Sequence, residues 1–164
     1  MRYASIRKYD VSNWEGINAT IFFSGCNFHC PGCFNKVAQD FNYGDIFDKS
    51  VMDAFINMAK DEKIDNVCML GGEVFQQDLD IIYEFVSRIK EEVNKPIIIW
   101  TGYLIEDLLV KKDAFRILEK IDYLIDGQFI LGKKDLSLKF RGSSNQRVID
   151  VNRTIFENKV VTFV

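Results

Sequence analysis

Proline occurs only twice and histidine once in 164 residues, and no stretch of the chain is low in complexity. With 48% hydrophobic and 27% charged residues, this composition excludes collagen-like and disordered architectures and fits a folded core. Long apolar runs are missing as well. Nothing approaches the roughly 18 apolar residues of a membrane span, and the opening stretch MRYASIRKYDVSNWEG scatters its charges with no apolar centre of a secretory leader. A cytoplasmic address without a membrane partner is therefore expected. Positive charge is not in excess either: the formal net charge is −3, so the broad basic surface that draws nucleic acid to a protein is absent, and no nucleic-acid partner is expected.

Cysteine is present in small number and unevenly placed. Of four, Cys26, Cys30 and Cys33 crowd into GCNFHCPGCFN, residues 25–35. In a reducing compartment, closely spaced cysteines argue for metal or redox chemistry over structural disulfides.

The chain length suits one domain and is short for a complete eight-fold α/β barrel. Residues 17–24 are β-branched and aromatic and run into Gly25, a strand ending in a turn. Asp48 is placed to cap a helix over about 49–61, and Asp78 one in which Leu79, Ile82, Phe85, Val86, Ile89 and Val93 share a face. Between them, residues 66–70 form a short strand closed by Gly71 and Gly72. PIIIWTG is a strand buried on both faces, 105–120 is helical with a break near 111–113, and IDYLIDG is a fourth strand. Short strands are expected at 147–150 and 160–164. The repeated strand–helix order predicts an α/β fold with a mostly parallel sheet. Gly25, Gly71, Gly102 and Gly127 each follow a strand, so four loops open on the carboxyl edge, where parallel α/β folds bind ligands.

Three thiolates at CxxxCxxC spacing leave a four-coordinate site one ligand short, and both zinc and an iron–sulfur cluster accept thiolates. His29 adjoins Cys30, which strains a shared centre, and Cys68 sits in an apolar strand where a free cysteine behaves as a small hydrophobe. The remaining alternative is a position open to an external ligand, as in catalytic metal sites.

The cysteine loop resembles that of radical S-adenosylmethionine (SAM) enzymes. Within them, FFSGCNFHCPGCFN, LGGEV, IIIWTGY, YLIDGQF and RGSSNQRVID, in order across residues 22–150, are similar to blocks of the activating proteins of anaerobic ribonucleoside-triphosphate reductase. The resemblance implies a minimal partial (β/α) barrel, 1–164 being a single radical SAM domain with its cluster loop at 25–35. It implies a [4Fe-4S] cluster held by Cys26, Cys30 and Cys33, its fourth iron bound by SAM. The SAM-binding residues would be Gly32, Cys33, Phe34, Gly71, Gly72, Glu73, Thr101, Gly102 and Asp126, with Phe34 against the adenine and Gly71–Glu73 around the amino group. The partners implied are the reductase large subunit, in which a glycine becomes a glycyl radical, and a low-potential electron donor such as flavodoxin. Three positions depart from the pattern: Gly32 stands where many of the superfamily carry an aromatic residue, Val74 where the second loop usually has proline, and 13–16 reads Asn-Trp-Glu-Gly.

Overall fold

The computed structural model describes all 164 residues. Seven strands form one sheet: β1 (Arg2–Asp10), β2 (Asn18–Ser24), β3 (Asp45–Ile46), β4 (Asn66–Gly71), β5 (Ile97–Trp100), β6 (Tyr123–Asp126) and β7 (Arg147–Asp150). Their order is β3-β1-β2-β4-β5-β6-β7. The centre, β2-β4-β5-β6, is parallel throughout, and β1, β3 and β7 join it antiparallel. Five α-helices lie between or after the strands: α1 (Lys49–Ala59), α2 (Leu79–Arg88), α3 (Ile105–Leu109), α4 (Lys112–Leu118) and α5 (Val151–Glu157).

Helix starts follow local chemistry. The Asp48 carboxylate accepts from the amide of Val51, and that of Asp78 accepts from the amides of Asp80 and Ile81, satisfying N–H groups that have no partner within the helix. A break does separate α3 from α4, at Val110–Lys111, just ahead of the expected 111–113. The strand expected at 160–164 is not formed. Only Thr162 bridges Ile149, because the tail is held to β7 by two backbone bonds and turns Phe163 onto the Trp14 ring. In the other direction, β1 escaped the sequence reading: its charged residues Arg7 and Lys8 are exposed, and its partner β2 is antiparallel and distant from any tight turn.

Side-chain alternation along the strands divides the core in two. Ala19, Ile21, Phe23, Val67, Met69, Ile97, Ile99, Leu124 and Ile149 face the helices, where they pack with Phe55, Ile56, Ile82, Phe85, Val86, Leu108, Ile117 and Leu118 in a cluster of 28 buried residues. Phe22, Cys68, Leu70, Ile98, Ile125 and Val148 face the other way, and Trp14 covers them. The Trp14 ring lies 4.2 Å from that of Phe140 and 5.0 Å from that of Tyr123, so the Asn-Trp-Glu-Gly segment closes the helix-free face with aromatic packing. No helix is long and apolar enough to cross a membrane.

Candidate metal centre

The loop after β2 carries the three cysteines. Two backbone bonds pin its root: the amide of Gly25 donates to Ala38 at 2.7 Å and that of Cys26 to Gln39 at 3.0 Å. Across the β2–β4 pairing, Gly72 donates to Phe23 and Glu73 to the carbonyl of Gly25. This close approach explains both glycines. A Cβ on Gly71, at φ +114°, would stand 2.4 Å from the Phe23 carbonyl oxygen, and one on Gly72 the same distance from that of Gly25. Val74 is fully buried in the main core, and two glutamines after it bond the turn to its neighbours. Gln76 accepts from the amide of Asn27 and donates to the phenol of Tyr103, while Gln77 donates to the carbonyls of Gly25 and Glu73.

Cys26, Cys30 and Cys33 line one cavity together with Phe34, Gly71, Gly72, Glu73, Thr101 and Gly102, the expected residues from three successive strand ends. Phe34 stands at its mouth, 81% exposed. Each of the three thiols is free and partly exposed. Burial holds the Cys26 and Cys30 thiols above their ordinary value, opposed by the amides of Phe28 and His29 at Cys26 and of Phe129 at Cys30. Thiols of that kind become thiolates when a metal supplies positive charge, so the donor set fits a soft metal group. No three histidine, cysteine, aspartate or glutamate side chains converge within reach of one metal ion, and the thiols face the cavity from separate points of their loop.

Glu73 is 1% exposed and joins two loops. Its carboxylate accepts from the Thr101 hydroxyl at 2.7 Å, the Gly102 amide at 2.7 Å and the Phe75 amide at 3.1 Å. Burial nonetheless outweighs these donors and raises the group to about 7. Asp126 and Gly32 do not line the cavity. Asp126, fully buried, receives the Arg147 guanidinium at 3.0 and 2.5 Å and the Ile105 amide, and Arg147 reaches on to Glu106. Gly32 turns the loop against Leu131. His29, with φ +50°, meets Gln39 outside the cavity, and Cys68 is sealed in the smaller cluster.

Seven further residues line the cavity that were not named as site residues: Phe28, Leu70, Trp100, Gly127, Gln128, Phe129 and Gln146. A signal existed for Trp100, because alternation along PIIIWTG puts it on the face opposite Ile99 at the carboxyl end. Gln146, which arrives from the far end of the chain, was marked only as part of the RGSSNQRVID block of the resemblance.

Three thiols gathered at the carboxyl edge of a parallel sheet mark this as an α/β protein with a candidate thiolate site for a metal group. Comparison with known proteins narrows the class. The family described as 4Fe-4S single cluster domain matches residues 12–149. The chain is 38% identical over 150 residues to the anaerobic ribonucleoside-triphosphate reductase-activating protein of Haemophilus influenzae, covering 89% of this chain and 96% of that protein. The protein of the same name from Escherichia coli K12 is 37% identical over 152 residues, 90% and 97% of the two chains. That of Enterobacteria phage T4 is 30% identical over 152 residues, 90% and 93%. The chain belongs to the family of anaerobic ribonucleoside-triphosphate reductase-activating proteins.

Proposed function

We propose that residues 1–164 form a single radical SAM domain, a minimal partial (β/α) barrel, that activates anaerobic ribonucleoside-triphosphate reductase. The observation that carries this reading is the sharing of one cavity by Cys26, Cys30, Cys33 and the Gly71–Glu73 turn. Three thiols on one loop suit a [4Fe-4S] cluster, in which each thiolate binds its own iron, and leave a four-coordinate zinc ion one protein ligand short. Family membership supports the same choice.

Cys26, Cys30 and Cys33 would hold a [4Fe-4S] cluster, which with bound SAM would supply the one-electron reductive chemistry, cleavage of a SAM carbon–sulfur bond, by which a reductase glycine loses its Cα hydrogen and becomes a glycyl radical. The chain's own residues bind, orient and exclude water. The Gly71–Gly72 backbone, bare of side chains, accepts the SAM ammonium, with the Glu73 carboxylate behind it. Phe34 and Trp100 offer flat apolar faces to the adenine. Thr101 and Gly102, held by Glu73, border the methionyl or ribose part. Asp126 and Gly32 serve at one remove: Asp126 fixes Arg147 and the start of α3, and Gly32 shapes the cysteine loop. The cellular setting is cytoplasmic, with the reductase large subunit as protein substrate and a low-potential donor such as flavodoxin.

Anaerobic reconstitution tests this directly. The expected products are SAM-dependent 5′-deoxyadenosine and, with the reductase, a glycyl-radical EPR doublet. Stoichiometric zinc with no cluster absorption overturns the reading. Replacement of Cys26, Cys30 or Cys33 by alanine is expected to abolish both signals.

A further inference from the structure

The polar block 141–147, RGSSNQR, spends its side chains inward. The Asn145 amide donates to the Gln128 carbonyl at 2.8 Å, and that of Gln146 to the Gly127 carbonyl at 2.9 Å. Ser143 accepts from the Ile130 amide at 3.2 Å. The block is itself folded around Gln146, whose Oε1 takes the amides of Gly142 and Ser143, while its carbonyl takes Arg141. Three loop residues after β6, Gly127, Gln128 and Ile130, are thus clamped from one side. On the other side that loop meets the cysteines: the Cys30 thiol donates to the Gln128 Oε1 at 3.8 Å, and the Phe129 amide faces the same sulfur.

We propose that Asn145 and Gln146 are positioning residues that press the 127–129 loop onto Cys30, so that its amide donors raise the reduction potential of a cluster held there. The proposal rests on the cluster reading above. Its physical basis is that N–H donors to a ligand sulfur disperse the negative charge an added electron brings, favouring the reduced state. Asn and Gln side chains that hold carbonyls fix the direction of the neighbouring amides, because each peptide unit is rigid and planar. The Gln128 amide has a donor end as well as an acceptor end, so it can turn its NH2 toward a thiolate.

Two measurements on the full chain test this. In the first, hydrogen exchange of the metal-free protein compares wild type with Asn145→Ala and Gln146→Ala, with Ser137→Ala as a control, since Ser137 bonds only to Asp135. Amides of 127–131 are expected to exchange about tenfold faster in the first two variants and unchanged in the control. In the second, EPR-monitored potentiometry of the reconstituted protein is expected to show a lower potential. The ratio of reduced to oxidised cluster at a fixed potential falls about tenfold, equivalent to ~59 mV for one electron. Should Gln146→Ala lose iron, Asn145→Ala, which leaves the block's own bonds intact, carries the potentiometry. Unchanged exchange overturns the clamp; faster exchange with an unchanged potential at full iron content overturns its role toward the cluster. Failure of the wild-type chain to take up iron counts against the cluster reading instead, and the exchange result then stands by itself.

Discussion

At the scale of single residues, burial decides what each ionisable or nucleophilic group can do. Glu73 is raised from 4.5 to about 7 because its desolvation exceeds the help of three hydrogen bonds. Its protonated form is therefore favoured by folding. Glu73's own contribution to the stability of the metal-free protein is expected to be full below pH 4.5, to fall as pH rises toward 7 and then to level, a change of about 3 kcal/mol at ~1.4 kcal/mol per pH unit. Urea midpoints measured across that range check this, and Glu73→Gln should flatten the profile. A profile of the variant parallel to wild type would show that another group is responsible. Cys68 is the contrasting case. Packed among Phe22, Leu70 and Ile98 on the helix-free face, it is a small hydrophobe with its thiol pushed far above the ordinary range by burial. Cys68→Ala is expected to keep its full iron complement after reconstitution while losing about 1 kcal/mol in urea unfolding. Loss of iron in that variant would mean that Cys68 reaches the centre.

At the scale of elements, the strand ends do the positioning. The β4 turn approaches the β2 turn so closely that a methyl group on Gly72 would stand 2.4 Å from the Gly25 carbonyl oxygen and 2.8 Å from that of Ala38. Both obstacles are backbone atoms at the root of the cysteine loop, so the loop must shift. Gly72→Ala is expected to cost about 1–3 kcal/mol and to reduce iron retention sharply. Iron analysis after desalting, alongside urea unfolding, checks both halves. Much at this scale was legible locally. The caps Asp48 and Asp78, the break between α3 and α4, and the glycine-terminated strands were read from neighbours within a few residues. β1 was not, because RYASIRKYD has no apolar stripe and becomes a strand only by pairing with β2 on one side and β3 on the other. Nor were the bonds of Gln76 to Asn27 and of Gln77 to Gly25, which depend on where their amides end after folding.

At the scale of the whole molecule, the cavity collects loops from β2, β4, β5 and β6 and one side chain from just before β7. A group bound there ties them together, so loading should protect them jointly. Hydrogen exchange before and after cluster reconstitution is expected to slow at 25–35, 71–77, 100–103 and 127–131 while α1 and the opposite strand ends change little. Uniform slowing across the sheet would instead indicate global stabilisation. The sequence by itself determined the strand–helix alternation, the loop edge, the three thiols and the double glycine, since these follow from periodicity and spacing over a few residues. Family resemblance was legible there too, and the relatives bear it out. Only the tertiary structure decided which polar groups face the cavity. Glu73 bridges to Thr101 and Gly102, Asp126 turns to Arg147, and Asn145 and Gln146 clamp a loop next to Cys30. A buried polar side chain takes whichever partner folding brings within about 3 Å, and that partner lies tens of residues away in the chain.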